Sequence, residues 1–380
     1  MISRPLWKKQ IEGIWQKVPI AWLTGVRRAG KTTLAQEFAA EYLNCDLPSV
    51  NRRLEDPEEF FKSVSGKVVI FDEVHQLPDP SRVLKIAADE FKNLRILATG
   101  SSTLQATEKF RDSLAGRKRV VHLVPVLFEE LKAFGIDSLE LRLLRGGLPP
   151  SLLSPGYDSG FFSEWMDSYF ARDVQELFRV EKRTGFLKLL ELLLRQSGGQ
   201  FDATSMAKLS GLSRPTVYSY LDVLEATNAI SILRPFAGGG RREIVAQPKV
   251  YGFDTGFVAH ARGWDSLRTE DCGALFEQIV LETLQSIPSL RAIHYWRDKQ
   301  QREVDFVIPT QRSSCDAIEC KWNVDAFEAR NLKAFRESYP QGRNILVAPN
   351  AVPAFSRTVE GMKIEFVSPS DLRGLWGEQI

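Results

Sequence analysis

Residues 25–33 decide the fold and read GVRRAGKTT. They follow the apolar run IAWLT and precede residues with helical character, so they lie where a strand passes into a helix. Only glycine lets the backbone N–H groups of so tight a loop approach phosphate oxygens, and the N-terminus of the next helix adds partial positive charge. The spacing Gly-x-x-x-x-Gly-Lys-Thr therefore predicts a nucleotide-binding strand–loop–helix unit.

The positions of this loop have distinct expected roles. We expect Lys31 to contact the β and γ phosphates and Thr32 to bind Mg²⁺. The predicted nucleotide-binding residues are Gly25, Arg28, Ala29, Gly30, Lys31, Thr32 and Thr33. The helix that follows is predicted over residues 32–42, TTLAQEFAAEY.

A second apolar strand, KVVIFDE at residues 67–73, ends in two acids. We expect Asp72 to hold Mg²⁺ through water and Glu73 to orient and deprotonate the attacking water. Many Asp-Glu pairs are merely solvated, but this pair comes in order after a phosphate loop. Together the two motifs predict ATP binding.

A third strand, LRILATGSS at residues 94–102, carries hydroxyl groups at its tip. Thr99, Ser101 or Ser102 would sense the γ phosphate there, with Ser101 as the catalytic candidate; the alternative is an ordinary polar turn. Farther on, Arg117 or Arg119 is a candidate arginine finger toward a neighbouring subunit's nucleotide. The alternative for both arginines is a solvated surface.

Length and composition fit a soluble protein with two to four domains, because the chain has 380 residues, of which 43% are hydrophobic and 26% charged. The 50 basic and 48 acidic residues nearly cancel, so net charge does not indicate a partner. The four cysteines lack the spacing of a zinc site, and reduced, buried thiols are expected. Without a signal peptide or a membrane-spanning run, we expect a cytoplasmic protein with no membrane partner.

The pattern of apolar runs divides the chain into four parts. Up to residue 135, short apolar strands alternate with helices, which predicts a parallel α/β sheet. The predicted domains are the nucleotide-binding α/β domain at 1–135, a helical lid or linker at 136–200, a winged helix at 201–262 and a second α/β domain at 263–380. The fold class is therefore multidomain α/β.

A helix-turn-helix is predicted within residues 205–230. Ala207 lies four residues before Gly211 and ten before Val217, which suits a small residue at the helix crossing, a glycine in the turn and an aliphatic anchor. Ser213 would cap the second helix. That helix would turn Arg214, Thr216, Tyr218 and Ser219 outward.

A wing is predicted after this pair of helices. Gly238 to Gly240 followed by Arg241 and Arg242 would contact DNA phosphates with weak, salt-dependent affinity. The DNA-binding candidates are Arg214, Thr216, Tyr218, Arg241 and Arg242. The alternative is a packing module, which Asp222 and Glu225 on the same helix favour because they would repel a phosphate backbone.

Near the end of the chain, AIECKW at residues 317–322 reads as a strand. Successive side chains of a strand point to opposite faces, so Glu319 and Lys321 share one face. Ile318, Cys320 and Trp322 take the other. In REVDFVI at residues 302–308, Asp305 likewise opposes its apolar neighbours Val304 and Phe306.

The preceding helix adds a third acid. Glu277 lies on a helical stripe with Ala274, Leu281 and Leu284, where an unpaired carboxylate is costly and needs a partner such as a metal. Three carboxylates can hold one or two Mg²⁺ ions, with a lysine to activate water for attack on a phosphodiester. The predicted metal site is Glu277, Asp305 and Glu319, and the predicted nuclease lysine is Lys321. The alternative is a cluster of ion pairs on a half-exposed sheet.

Cations nearby would hold a nucleic-acid backbone whether or not the site cuts. They are Arg297, Lys299, Arg302 and Arg312.

Taken together, these residues resemble the prokaryotic AAA-type ATPases that carry a C-terminal domain of unknown function related to PD-(D/E)xK nucleases. The motifs that carry the resemblance span nearly the whole chain. They are GVRRAGKTTL, FDEVHQLPD, ILATGSS, LAGR, GGLP, YFARDVQELF, PKVYGFDTG, GALFEQIV, EVDFVI and IECKW.

The resemblance implies an ATP- and Mg²⁺-dependent ATPase core, a homo-oligomer for which a ring is one arrangement, and a restriction-endonuclease-like C-terminal domain. Whether that domain cuts nucleic acid stays open, with DNA favoured over RNA as the partner. Two alternatives remain: a DNA-binding regulator switched by ATP, and a protein-interaction module, each with a catalytically silent nuclease fold.

Overall fold

A computed structural model describes residues 2–38, 40–64, 66–100, 114–175, 178, 180, 182–238, 247–290, 292–311 and 314–376. These residues form two compact units. The first comprises the chain up to residue 124 together with 167–179 and 226–228. The second comprises 125–166, 180–225 and the chain from residue 229 onward. The four-domain division remains a prediction.

The first unit contains a sheet with helices around it. Its strands are β1 Ile20–Thr24, β2 Glu41–Asn44, β3 Val68–Asp72, β4 Arg95–Thr99 and β5 Lys118–His122. Its helices are α1 Pro5–Trp15, α2 Lys31–Ala35, α3 Pro48–Arg53, α4 Pro57–Ser63 and α5 Pro80–Glu90, with a 3₁₀ turn at Val74–Gln76 and a π-helical segment at Phe170–Gln175.

The five strands form a parallel sheet in the order β2-β3-β4-β1-β5. The predicted parallel α/β fold is therefore confirmed for this unit, and all five residues of β1 are buried, as a sheet covered on both faces requires. The order has a consequence for chemistry. Because β4 lies between β1 and β3, its tip at Thr99 falls between the phosphate loop and Asp72.

The helix predicted over residues 32–42 is wrong in length, because α2 ends at Ala35. Beyond it, Glu37 N bonds to Leu34 O at 3.1 Å and Phe38 N to Ala35 O at 3.2 Å, so the backbone tightens to bonds three residues apart and leaves the helix. The residues from Glu41 then form β2, which pairs with β3. Pairing with a buried strand outweighs the helical preference of this segment.

The second unit contains two sheets. Its helices are α6 Leu139–Arg145, α7 Pro149–Leu152, α8 Ser159–Tyr169, which runs on into the first unit, α9 Arg183–Arg195, α10 Ala203–Ser210, α11 Arg214–Ala226, α12 Thr255–Arg262, α13 Thr269–Gln285, α14 Arg330–Ser338 and α15 Pro369–Leu372. Three 3₁₀ turns lie at Phe128–Glu130, Val324–Ala326 and Arg373–Trp376. Its strands are β6 Gly199–Gln200, β7 Ile230–Leu233, β8 Lys249–Gly252, β9 His294–Arg297, β10 Glu303–Gln311, β11 Ser314–Cys320, β12 Asn344–Val347, β13 Phe355–Val359 and β14 Met362–Val367.

The larger sheet is mixed and has helices on both faces. Its order is β13-β14-β12-β11-β10-β9, with β11, β12 and β14 parallel. On one face, Phe276 of α13 packs with Ile318 and Phe306. On the other, Phe335 of α14 packs with Val304. This α/β sandwich is the scaffold of the predicted C-terminal site.

The strict alternation predicted for β10 is wrong at one point. Val304 and Phe306 are two residues apart, so a regular strand would place them on one face, but they pack in different cores. The pairing of β10 with β9 shifts register between Val304 and Val307, and such a bulge moves later side chains to the other face. In β11, Ile318 and Cys320 share one core as predicted.

The segment predicted as a helix-turn-helix forms two helices, α10 and α11, joined by a short turn. Gly211 in that turn has φ +73°, which favours glycine, and Ser213 Oγ accepts a bond from Thr216 N at 3.3 Å, as expected of an N-cap. A small antiparallel sheet in the order β6-β8-β7 accompanies the helices. The predicted wing residues Arg241 and Arg242 lie outside the described residues.

Two of the motifs behind the resemblance, GGLP and FDTG, fix each other in the core of the second unit. Asp254 is buried, caps α12 by accepting from Gly256 N at 2.9 Å, and accepts from Gly147 N at 2.6 Å. Arg142, also fully buried, donates to Glu282 Oε2 at 2.5 Å. The bond from Gly147 N to Asp254 therefore connects the two motifs within the second unit.

Replacing Gly146 with alanine should strongly destabilise the second unit. Gly146 has φ +78°, and a Cβ there would lie 1.9 Å from Asp254 Oδ1, so both backbone and neighbour would be strained. We expect a loss of roughly 3–5 kcal/mol in the free energy of unfolding. Gly273→Ala is the control, because nothing lies within 4 Å of its added Cβ inside α13, and it should stabilise by about 0.5–1 kcal/mol. Denaturant unfolding measures both, and equal stabilities would contradict this account.

The four cysteines are free and buried, as predicted. Among the residues that the structure describes, no helix has both the length and the apolar character needed to cross a membrane.

Candidate nucleotide site and carboxylate cluster

The phosphate loop between β1 and α2 has the backbone that its sequence predicts. Gly25 has φ +145°, and a Cβ there would lie 2.4 Å from Leu123 O. Gly30 caps α2 with φ +98°, and the non-glycine residue Arg28 also has a positive φ of 66°. Ala29 is fully buried and Thr33 is exposed. The glycines therefore allow a turn that side chains would block.

The ammonium group of Lys31 lies over this loop. Its Nζ donates to Gly25 O at 2.8 Å and to Val26 O at 3.1 Å. Burial lowers the pKa of Lys31 below its usual value, whereas Glu73 acts in the opposite direction. At the end of β5, burial and Lys31 lower the pKa of His122 to about 4, so this imidazole is neutral at pH 7. Phosphate oxygens can replace the two carbonyls as acceptors for Lys31.

Asp72 is the centre of a hydrogen-bond network at the carboxyl end of the sheet. It is 4% exposed and accepts bonds from Thr32 Oγ1 at 2.9 Å, from Tyr42 OH at 2.6 Å and from Thr99 Oγ1. The sequence therefore brings Asp72, Thr32 and Thr99 together as predicted. Tyr42, a further hydrogen-bond donor to Asp72, is not among the predicted site residues, because the sequence predicts a helix for its segment.

The oxygen atoms of this network suit Mg²⁺. Magnesium prefers oxygen ligands, and the Thr32 hydroxyl and the Asp72 carboxylate lie 2.9 Å apart beside the phosphate loop. The side chain of Thr32 is exposed, so a nucleotide-bound ion can reach it. The residues fit the predicted ion.

Glu73 follows Asp72 with a left-handed backbone, φ +55°, which turns its side chain away from the strand. Its N–H donates to Thr99 Oγ1 at 3.0 Å, and its Oε2 lies 3.3 Å from His75 Nδ1. With 36% of its side chain exposed, Glu73 can reach a water molecule. His75 is a second neighbour that the sequence did not reveal. Ser101 and Ser102 lie outside the described residues.

Two short segments from later in the chain contact the phosphate loop. Arg27 Nε donates to Asp173 Oδ2 at 3.0 Å, and Asn228 Nδ2 donates to Thr24 Oγ1 at 3.3 Å. Asp173 belongs to the motif YFARDVQELF, whose role the sequence analysis left open. The structure therefore gives that motif a contact with the loop.

The two finger candidates lie away from the chain's own phosphate loop. Arg117 forms an ion pair with Asp89, with Nη2 2.9 Å from Oδ2, and its carbonyl accepts from Ile20 N at the start of β1, whereas the loop follows the end of that strand. Arg119 is exposed. Arg117 precedes β5 and Arg119 lies near the start of that strand, whereas the loop follows the end of β1, so a finger role would require a neighbouring subunit.

The predicted C-terminal acids do lie near one another. Burial, then the neighbouring carboxylate of Glu277, raises the pKa of Asp305 to about 7. Burial and Asp305 raise the pKa of Glu319 above its usual value. Lys321 Nζ lies 3.4 Å from Glu319 Oε2, which confirms that these two side chains share a face. We call Glu277, Glu303, Asp305 and Glu319 the carboxylate cluster.

A lysine that the sequence analysis missed lies in this cluster. Lys249 of β8 is 3% exposed, with Nζ 3.2 Å from Glu277 Oε1, and it forms a second ion pair with Glu303. Tyr251 OH donates to the same oxygen of Glu277. The expected partner for Glu277 was a metal, and the structure provides an ammonium and a hydroxyl group in its place.

The cluster therefore does not fit a metal ion as it stands. Across the described ranges, no group of three or more His, Cys, Asp or Glu side chains is arranged to hold one. One of the predicted ligands, Asp305, also accepts a bond from Cys320 N at 2.8 Å.

Other predicted nucleic-acid contacts lie at the surface. Arg214 and Tyr218 are exposed on α11, with Tyr218 at 49%, and Thr216 is half-buried. Arg302 pairs with Asp298 and Arg297 with Glu303, while Lys299 is exposed. Arg312 lies outside the described residues.

The fold and the first site define a class of protein: a P-loop nucleoside triphosphatase. A family model described as an AAA domain matches residues 17–132. Two models described as domains of unknown function, DUF8612 and DUF4143, match residues 136–268 and 272–363.

Relatives place the chain in a family. An uncharacterised protein of Mycobacterium tuberculosis is 30% identical over 307 residues, which cover 77% of this chain and 68% of the relative. A protein of Mycobacterium bovis matches equally well, and one of Haemophilus influenzae is 23% identical over 69% of this chain and 74% of its own. The chain belongs to the family of these mycobacterial proteins, and its N-terminal part is an AAA-type P-loop ATPase domain.

A Walker-type ATPase of Pyrococcus abyssi is a similar solved structure, with a TM-score of 0.46 and 16% identity, covering 69% of this chain and 96% of that one.

Proposed function

We propose that the protein is an Mg²⁺-dependent ATPase that couples ATP hydrolysis to DNA binding through α10 and α11. The observation that carries the ATPase part is the network in which Asp72 accepts from Thr32 and Thr99 beside Lys31. In it, residues from three neighbouring strand ends converge on the position of a γ phosphate.

The residues of this network have separate proposed roles. Lys31 exchanges the carbonyls of Gly25 and Val26 for phosphate oxygens, while Thr32 and Asp72 hold Mg²⁺. When bound, that ion neutralises charge on the phosphates. Glu73 accepts a proton from the attacking water, and Thr99 holds both Asp72 and the backbone of Glu73 in place.

We also propose that the chain assembles with copies of itself, with a ring as one arrangement. Arg117 and Arg119 are the finger candidates for a neighbour's nucleotide. Arg117 would first have to leave Asp89, which makes Arg119, exposed and beside it, the simpler choice.

The DNA proposal has its support in the exposed face of α11. Arg214 and Tyr218 lie one turn apart and are both exposed, so a cation and an aromatic ring project together. The arginine can contact a phosphate, and the tyrosine ring can contact the neighbouring sugar or base. Asp222 lies one turn farther on and is also exposed.

Removing the cation and the ring together should weaken DNA binding. For Arg214→Ala/Tyr218→Ala, we expect an affinity for duplex DNA reduced roughly 10-fold and a shallower salt dependence, because one phosphate contact is lost. Fluorescence anisotropy at several salt concentrations measures both. Asp222→Asn is the control, since the loss of a negative charge should leave binding equal or tighter. Unchanged binding in the double variant would contradict the assignment to α11.

A second candidate is a DNA-binding regulator switched by ATP, in which the C-terminal domain is catalytically silent. Lys249 favours it, because its ammonium lies against the acid that cleavage would need for a metal. Metal-dependent cleavage of DNA or RNA that is lost in Asp305→Ala and Lys321→Ala would contradict a catalytically silent C-terminal domain. A protein-interaction module is the third, and it requires that no nucleic acid change the ATPase rate.

A further inference from the structure

The carboxylate cluster contains its own cation. Lys249 reaches it from β8, a strand of the small sheet, and not from the large sheet that carries Asp305 and Glu319. Its Nζ lies 3.2 Å from Glu277 Oε1 and also pairs with Glu303, while the rings of Tyr251 and Tyr295 lie 5.9 and 5.5 Å from it. A buried ammonium with two carboxylates and two aromatic faces is well compensated.

The acids of the cluster have partners within the protein. Glu277 Oε1 accepts hydrogen bonds from Lys249 Nζ and Tyr251 OH. Asp305 Oδ2 accepts one from Cys320 N, and Glu319 Oε2 accepts one from Lys321 Nζ. Among the described residues, only one cluster oxygen that is fully buried lacks a partner, Glu319 Oε1. A divalent ion bound through Glu277 Oε1 would have to displace both the Lys249 ammonium and the Tyr251 hydroxyl group.

Lys249 is held as a cation. Its Nζ forms ion pairs with two carboxylates, that of Glu277 at 3.2 Å and that of Glu303. A protonated lysine has no lone pair to offer a metal. A divalent ion at Glu277 would therefore have to displace the ammonium.

We propose that Lys249 is the built-in counter-cation of the carboxylate cluster and excludes divalent metal ions from it. The ion pairs with Glu277 and Glu303 then connect β8 to α13 and β10. The cluster therefore stabilises the packing of these elements and is not a catalytic centre. This inference is independent of the ATPase proposal, because it concerns none of the nucleotide-site residues.

Direct binding of Mn²⁺ to the full chain without nucleotide tests the proposal. Free Mn²⁺ is followed by electron paramagnetic resonance in mixtures with the wild type and with Asp305→Asn. We expect equal uptake by the two proteins, because the cluster binds no ion in either. Greater uptake by the wild type would overturn the proposal, and ATP turnover plays no part in the result.

Thermal unfolding of Lys249→Met gives the second test. Without the ammonium, Glu277 and Glu303 repel each other, so the midpoint should fall by roughly 5–10 °C. Mn²⁺ should restore part of that loss, and the restoration should vanish when Asp305→Asn is added. The matched control is Lys333→Met, which removes an exposed lysine 3.0 Å from Glu360 and should change the midpoint little.

Two outcomes of the thermal test would count against the proposal. One is a Lys249→Met midpoint equal to that of Lys333→Met, and the other is a loss that Mn²⁺ does not repair. If Lys249→Met does not fold, Lys249→Arg is measured instead. It keeps the positive charge, so its unfolding midpoint should not change when Mn²⁺ is added, as for the wild type. An Mn²⁺-induced rise in the midpoint of Lys249→Arg or the wild type, absent with Asp305→Asn, would overturn the proposal.

Discussion

Lys31→Ala should reduce ATP turnover at least about 100-fold and weaken ATP binding by a similar factor. The ammonium of Lys31 is the cation that the loop holds over its own carbonyls, and a charge-assisted bond to phosphate contributes about 1.5–3 kcal/mol for each contact. Two such contacts, to the β and γ phosphates, exceed the roughly 2.7 kcal/mol that a 100-fold effect requires. Release of inorganic phosphate and binding of a labelled ATP analogue measure the two quantities.

Lys62→Ala is the matched control for this variant. Lys62 is an exposed lysine of α4 in the same unit, so its loss removes one positive charge without touching the loop. It should leave turnover within about twofold of the wild type, since a surface charge contributes little at a distance. Hydrolysis that persists in Lys31→Ala would rule out the proposed site.

Glu73→Gln should separate binding from hydrolysis. The change preserves size and removes the only group that we assign to accept a proton from water, so turnover should fall by about 10²–10⁴. The backbone N–H of Glu73 still bonds to Thr99 Oγ1, so the network around Asp72 stays in place. ATP affinity should therefore change by no more than about threefold, which the same binding assay tests.

The control for this variant is Glu90→Gln, an exposed acid at the end of α5. It should hydrolyse ATP at the wild-type rate. If Glu73→Gln keeps normal turnover, another group activates the water, and His75, 3.3 Å from Glu73, is then the first to examine. If Glu73→Gln loses ATP binding instead, its role is structural.

The first sheet was largely predictable from sequence, for a physical reason. A strand covered on both faces is a continuous apolar run, and β1, β3 and β4 each contain one. The strand β2 escaped prediction because EYLN has one fully buried residue, Leu43, and follows residues that favour a helix. The position of β4 between β1 and β3 depends on long-range pairing, which no local pattern encodes.

The two sites were predictable to different degrees. Asp72, Thr32 and Thr99 follow from motifs attached to strand ends, and parallel strands carry such ends to one edge. Lys249 could not be found in this way, because it precedes Glu277 by 28 residues and belongs to another sheet. One signal was present: PKVYGF is an apolar strand with a lysine in it, and a buried lysine needs a carboxylate nearby.

The two sites also differ in what their acids accept. Asp72 accepts hydrogen bonds from hydroxyl groups, and a Mg²⁺ ion can bind beside them. Glu277 contacts the ammonium group of Lys249, which a metal ion would have to displace. The two carboxylates therefore differ in the charge of their partners. Asp72 has neutral hydroxyl groups and can still bind a cation, whereas Glu277 is already paired with one.

Titration of the intact chain with fluorescent ATP in the presence of Mg²⁺ tests the central claim most directly. We predict saturable binding with one nucleotide per chain, weakened at least about 100-fold in Lys31→Ala and preserved in Lys62→Ala. A wild-type chain that takes up no nucleotide, or that binds it equally well without Lys31, would contradict the account.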